Sequence, residues 1–266
     1  QGTDCCGQIV KLAKNDKQNL IGKRVIVRSC MRINGFGSKE KKWMASDFNG
    51  AFAEYVKVPL SEVFTINCDW SNEELATIPC SYGTAENMLY LSRISKNDIV
   101  LITGASGGVG SAAIQLAKIR GAKVIASIGK EKKEYALKLG ANQTIDRNDN
   151  VLNTLGYNSV DLVVDVVGGS QFQDFFKIIK PNGRYISSGA IAGPIVNFDL
   201  RDLYLKDISI IGSTTWEEPI FYNLVKYIED GLIKPLVAKT YPLSEIVRAQ
   251  KEFLLKKHFG NLVLIP

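Results

Sequence analysis

Apolar residues along this chain recur with two different periods. Six short runs of β-branched and aliphatic residues, at 99–102, 123–127, 143–145, 161–169, 183–189 and 208–212, predict buried strands. Between them lie stretches with helical spacing. Ala112, Ala113, Leu116, Ala117 and Ile119 follow one run, and 131–139 closes on Gly140 as a C-cap. Strands separated by helices in this way predict an α/β fold with a doubly wound parallel sheet, whose ligands bind at the carboxyl ends of its strands. Those ends are Thr103–Gly104, Ser127, 167–169, Ser188–Gly189 and 212–215.

The first 66 residues follow the other period. Alternation at 8–12, 22–28 and 52–58 predicts strands, with a long loop over 29–49. A short helix over 72–78, capped by Ser71, and a second over 85–93 lead into the α/β part. Beyond it, helices at 219–229 and 244–256, a turn at 231–235 and a strand at 261–265 close the chain.

The chemistry concentrates after the first buried run, at Thr103-Gly-Ala-Ser-Gly-Gly-Val-Gly110. A strand, a glycine turn and a helix start are the parts of a dinucleotide pyrophosphate site. Glycines let the backbone approach the phosphates, and the helix N-terminus stabilises their charge. The spacing, Gly104-x-x-Gly107-x-x-Gly110, departs from G-x-G-x-x-G, but the strand at 123–127 completes a βαβ unit of ~30 residues. Gly104, Ser106, Gly107, Gly108, Val109 and Gly110 are the expected phosphate contacts. A P-loop reading fails because Gly110 is followed by Ser111 and Ala112 instead of lysine and a hydroxyl residue.

Composition changes this picture little. The 266 residues are 45% hydrophobic, without an apolar run long enough for a membrane span. The +6 net charge is scattered, which argues against a nucleic-acid surface. Five cysteines without paired spacing fit a reducing, cytoplasmic setting. The choice of dinucleotide is more legible. An NAD site places an acid ~20 residues past the glycines, at the end of the second strand. Here that position is Ser127, and Lys130, Lys132 and Lys133 follow. A hydroxyl with ammonium groups beside it suits a 2′-phosphate, so the expected cofactor is NADP.

Gly2-Thr-Asp-Cys-Cys-Gly-Gln-Ile-Val10, Gly50-Ala-Phe-Ala-Glu-Tyr-Val56, Gly83-Thr-Ala85, the glycine turn, Gly231-Leu-Ile-Lys-Pro235 and Gly260-Asn-Leu-Val-Leu264 occur in one order. In that order they resemble the medium-chain dehydrogenase/reductases, above all the quinone-oxidoreductase-like and zinc-alcohol-dehydrogenase-like members. The resemblance implies a doubly wound Rossmann domain plus an incomplete GroES-like β-rich catalytic domain. Residues 1–81 would be the partial catalytic domain, 82–212 the NAD(P)-binding domain and 213–266 the return that completes the first. Because the match opens inside the catalytic domain, the family's first strands are expected to lie upstream. Ile9, Val25 and Val27 should then be partly uncovered.

The resemblance also assigns roles. Lys132 matches a phosphate-binding lysine of similar proteins, and Val167, Gly168, Ser188, Gly189, Ala190 and Ser213 would position a nicotinamide. Zinc-dependent members use a histidine where this chain has Thr3 and a cysteine where it has Cys80. No metal ligand set is therefore expected, since threonine is not an ordinary zinc ligand and the one histidine, His258, lies near the C-terminus. Without zinc, hydroxyls must serve the substrate oxygen. Ser81, Tyr82 and Thr84 are the candidates, with Tyr82 as proton donor or, equally, as an aromatic filling a domain seam.

The expectation is an NADPH-dependent oxidoreductase passing hydride to a quinone or an α,β-unsaturated carbonyl. Its partners would be that small-molecule carbonyl or quinone substrate and, as a homodimer, a second copy, with no nucleic acid and no membrane. A zinc alcohol dehydrogenase with an eroded ligand set and a non-catalytic nucleotide-binding module are the alternatives.

Overall fold

The computed structural model describes residues 1–13 and 15–266, which fall into two units: 1–83 with 216–266, and 84–215. In the first unit, β1 (Cys6–Gln8), β2 (Arg24–Val27) and, further on, β5 (Val63–Thr65) form an antiparallel sheet with β2 in the middle. A two-residue hairpin, β3 (Cys30–Met31) and β4 (Lys42–Trp43), lies between β2 and β5 in sequence. Met31 and Met44 pack with Val27 in a small core. The end of β2 is tied to the start of β5 by a buried ion pair, Arg28 Nε to Glu62 Oε2 at 2.6 Å. The Arg28 guanidinium also lies 4.7 Å from the centre of the Phe36 ring.

Ser71 and Glu74 form a reciprocal capping box that starts α1 (Asn72–Ala76). The next helix, α2 (Pro79–Leu91), begins in the first unit and ends in the second.

The second unit alternates strictly. Its elements are β6 (Ile99–Ile102), α3 (Gly108–Ile119), β7 (Lys123–Ile128), α4 (Lys133–Leu139), β8 (Gln143–Asp146), α5 (Val151–Leu155), β9 (Val160–Asp165), α6 (Phe172–Ile178), β10 (Ile179–Ser187), α7 (Leu200–Tyr204) and β11 (Ser209–Gly212). All six strands are parallel, in the order β11-β10-β9-β6-β7-β8. The order reverses between β6 and β9, and a crevice opens at such a point, at the strands' carboxyl ends. Leu101, Val163, Phe176 and Tyr185 lie in the core cluster of this unit. The chain then returns to the first unit as α8 (Pro219–Glu229), β12 (Val237–Pro242), α9 (Ile246–Leu254) and β13 (Asn261–Ile265), with β12 and β13 parallel. Phe221 and Tyr222 of α8 meet the Phe64 ring of β5 at 5.0 and 5.4 Å.

The doubly wound sheet has the six strands its apolar runs predict. The β-rich segment differs in places. Residues 52–58 form no strand: the Phe52 N–H is taken by the Gln1 carbonyl, and the stretch pairs with no ladder among the described residues. Val25 and Val27 are covered, at 6% and 3% exposure, Val27 by Met31 and Met44, whereas Ile9 is half-buried. The expected 29–49 loop contains the β3–β4 hairpin, and β12 fills a stretch with no strand pattern of its own. Among the described residues no helix is long and apolar enough to cross a membrane.

Candidate functional site

The glycine turn between β6 and α3 is built by close backbone approach. A Cβ on Gly110 would lie 2.3 Å from the Gly104 carbonyl oxygen, and one on Gly104, at φ +57°, would lie 2.9 Å from Val166 Cγ2. The Gly107 N–H donates back to the Gly104 carbonyl at 2.9 Å. Gly107 is also the N-cap of α3, and it brings no side chain to the helix end. The first N–H groups of a twelve-residue helix are thus left for an outside anion. This turn, with no room for side chains at Gly104 and Gly110 and with free N–H groups at the helix end, suits a pyrophosphate.

Beside the turn, Asp165 organises the ends of three strands. Its Oδ1 accepts from Thr103 Oγ1 (2.5 Å) and the Val167 N–H (2.9 Å), and its Oδ2 from Tyr185 Oη (2.6 Å) and the Gly168 N–H (3.1 Å). Burial and this carboxylate push the Tyr185 hydroxyl well above its usual range. The network fixes the turn 166–169, in which Gly168 and Gly169 take φ of +63° and +78°. Gly189 backs onto it, since a Cβ there would stand 3.1 Å from the Val166 oxygen. Nearby, Ser188 Oγ contacts Met88 Sδ at 3.1 Å, and Asn87 Nδ2 donates to Ser213 Oγ at 2.9 Å. Val167, Gly168, Ser188, Gly189, Ala190 and Ser213 therefore stand at or just past the carboxyl ends of β9, β10 and β11. Asp165, Tyr185 and Asn87, which hold them, escape a motif reading because nothing local marks them.

At the far side of the sheet, Ser127 is the penultimate residue of β7 and is buried. Its carbonyl accepts the Ala105 N–H at 3.2 Å, joining this edge to the glycine turn. Lys132, at 8% exposure, has its ammonium pKa lowered mainly by desolvation, with Glu131 opposing and Arg147 reinforcing the shift. Arg147, just past β8, is thus a basic residue near Lys132 that the linear sequence does not single out. The Glu131 carboxylate folds against Gly129, where a Cβ would meet its Oε1 at 2.7 Å. The rim beyond β7 mixes both signs.

In the first unit, Ser81 and Tyr82 lie on α2, with Thr84 one residue past that unit's limit on the same helix. Tyr82 is 2% exposed, and its hydroxyl donates to the Lys234 carbonyl at 2.7 Å. That bond uses the hydroxyl proton that a donor role would need. Ser81 Oγ accepts from Asn261 Nδ2 at 3.4 Å, and Thr84 is half-buried.

Asp4, beside Thr3, is more engaged than the sequence suggests. Its Oδ1 accepts the Cys80 N–H at 2.5 Å in the first turn of α2, and its Oδ2 the Thr3 hydroxyl at 3.3 Å. The carboxyl lines a largely apolar groove, and burial pushes its pKa up to about 6. Threonine stands where zinc-dependent members of the family carry histidine, and among the described residues no three His, Cys, Asp or Glu side chains converge as metal ligands.

Two family models match the chain in sequence order. Residues 1–67 match the alcohol dehydrogenase GroES-like domain, and residues 108–230 match the zinc-binding dehydrogenase model. Acryloyl-coenzyme A reductase of Sulfurisphaera tokodaii is 31% identical over 228 residues, covering 84% of this chain and 67% of that protein. The chain thus spans about two thirds of that relative's length. A structure from Sinorhizobium meliloti 1021, provisionally named an alcohol dehydrogenase, superposes with a TM-score of 0.94 at 40% identity, over 100% of this chain and 75% of that one. The 2-octenoyl-CoA carboxylase reductase CinF, solved with NADP and 2-octenoyl-CoA, gives 0.88 at 26% identity, over 98% of this chain and 67% of its own. With the two family models in sequence order and a relative of that identity matched over two thirds of its length, this chain belongs to the medium-chain dehydrogenase/reductase superfamily of oxidoreductases.

Proposed function

We propose that this protein is an NADPH-dependent reductase of conjugated carbonyl compounds, enoyl thioesters or quinones, and that it works without catalytic zinc. The observation that carries the reading is the open N-terminus of α3 on one side of Ser127 with Lys132 and Arg147 on the other. The helix end suits the pyrophosphate, and the two cations suit a 2′-phosphate. The reaction class draws support from the relatives named for acryloyl- and octenoyl-CoA. When bound, the dinucleotide supplies the hydride.

The chain's own part is to orient and to stabilise charge. The turn 166–169, held by Asp165, and the segment 188–190 form a fixed backbone surface for the nicotinamide end. Ser81 and Thr84, both on α2, are the hydroxyls that the family resemblance assigns to an acceptor oxygen. A simple ketone that takes up hydride leaves a full charge on the adjacent oxygen, which hydrogen bonds stabilise less well than a metal does. Conjugation spreads that charge away from the accepting carbon, so one or two hydroxyl donors suffice.

The test is NADPH oxidation by the purified protein with a chelator present. Enoyl thioesters, enones or quinones should be reduced faster than unconjugated ketones, and NADPH should bind at least ~10-fold tighter than NADH, a preference lost in Lys132→Ala. Activity that vanishes with the chelator, or a preference for simple alcohols, would replace this reading with the zinc alcohol dehydrogenase one. Equal affinity for the two cofactors would remove the NADP assignment.

A further inference from the structure

The cysteines are free thiols, and strand register decides which of them share a surface. At the start of β1, Cys5 packs against the small core of Val27, Met31 and Met44. Cys6, the next residue, therefore projects from the opposite face. In the antiparallel ladder Cys6 stands opposite Ile26 and Gln8 opposite Arg24, so Cys6 and Arg24 lie on that same face.

The Arg24 guanidinium ties this face to the stretch that follows β5. Its Nη1 donates to the Trp70 carbonyl at 2.5 Å and its Nη2 to the Cys68 carbonyl, while Nη2 also stands 3.5 Å from Cys68 Sγ. Just beyond, Asn72 Oδ1 accepts from Cys6 Sγ at 3.7 Å. The chain from 68 to 72 thus runs past the Arg24 side chain and back to Cys6. The two sulfurs are close enough to interact electrostatically: burial pushes the Cys6 thiol up to about 12, the Arg24 charge opposes that shift, and Cys68 and Glu73 add to it. Both cysteines are half-buried, within reach of a small oxidant. The other thiols lie apart from this cluster, Cys30 fully buried beside the Trp216 backbone and Cys80 on α2 with its N–H held by Asp4.

The surroundings divide the roles. A cation beside a sulfur stabilises the charge it carries as a nucleophile, and Arg24 stands against Cys68. Cys6, kept neutral, is the partner that follows. We propose that Cys6 and Cys68 form a redox-modification site, a dithiol that a hydroperoxide converts into a reversible disulfide beside Arg24. Cys68 Sγ attacks one peroxide oxygen, the O–O bond breaks, and the other oxygen leaves with the Cys68 proton as water or alcohol. Cys6 Sγ then attacks the sulfenic sulfur. The S–S bond forms, the S–O bond breaks, and the hydroxide leaves with the Cys6 proton as water. Two thiols are oxidised and one peroxide is reduced.

The test treats the reduced protein with a few equivalents of hydrogen peroxide, alkylates the remaining thiols in urea and maps the peptides without reduction. Most chains should carry the Cys6–Cys68 link, reversed by dithiothreitol, with Cys5, Cys30 and Cys80 alkylated. The oxidised form should melt at least ~5 °C above the reduced one, because the bond closes a long loop in the unfolded chain. In Cys6→Ser, Cys68 should stop at the sulfenic acid, which dimedone traps. In Cys68→Ser, Cys6 should stay reduced. Absence of the link, or equal pairing of either residue with Cys5 or Cys80, would overturn the proposal, as would unchanged oxidation of Cys6 in the Cys68→Ser protein. Should a variant fail to fold, the wild-type peptide map decides alone.

Discussion

At the residue scale, the most informative side chains are ones that ordinary sequence patterns do not mark. Asp4 has its carboxyl raised from 3.8 to about 6. The folded state therefore binds more protons than the unfolded one between about pH 4 and pH 6. Stability should fall as pH rises through that window and be flat above it as far as this group is concerned. Asp4→Asn, which keeps the acceptor for the Cys80 N–H, should abolish that slope and stabilise the protein at pH 7 by ~1–3 kcal/mol. Urea denaturation at pH 4, 5, 6 and 7 measures this, and an unchanged slope would show that the carboxyl is not desolvated as described. Tyr82 gives a second outcome. With its proton on the Lys234 carbonyl, Tyr82→Phe should cost about 1 kcal/mol of stability and leave kcat within a few fold. A loss of ~10²-fold in kcat would instead make it the proton donor. The glycine turn and the position of Lys132 are legible in the sequence because their pattern is local: a turn, a helix start, a lysine at fixed distance from both. Asp4 and Asp165 are not. Their character comes from burial and from partners 76, 62 or 20 residues away.

At the element scale, the close approach of α3 to the end of β6 has a mechanical consequence. Gly110→Ala would press a methyl carbon onto backbone atoms at 2.3–2.8 Å, where no flexible side chain can move aside. The expected cost is ~1–3 kcal/mol of stability together with loss of dinucleotide binding, read from thermal melts with and without NADPH. A stable, binding Gly110→Ala variant would mean that the helix can slide outward. The central strands β6, β7 and β9 are legible because each is an apolar run buried on both faces, whereas the apolar run of β11, at the sheet edge, is largely exposed. The start of α2 is not legible, since the sequence pattern opens the helix only at residue 85. In the fold Gly83 lies within α2 and makes room for aromatic rings: a Cβ there would stand 3.1 Å from Trp216 and 3.3 Å from Phe221. The same tertiary logic explains 52–58, whose alternation mimics a strand although its backbone is bonded elsewhere.

On the scale of the whole molecule, the second unit is one continuous stretch while the first is assembled from both ends of the chain. A fragment of residues 79–215, which keeps α2 whole, contains the complete parallel sheet and its core. It should unfold cooperatively and bind the dinucleotide. Residues 1–83 alone should do neither, because Phe64 loses the rings of Phe221 and Tyr222 and α1 loses β12 and β13. Circular dichroism melts of the two fragments check both statements, and a cooperative melt for 1–83 would contradict the division. During synthesis this arrangement becomes a matter of time. The last strand of the first unit ends at Ile265, so its opening 83 residues must wait for 182 more to be made. At ribosomal rates that delay is roughly 10–40 s, during which the sheet of the second unit can already close. The nascent N-terminal strands are then the part of the polypeptide with most need of a chaperone.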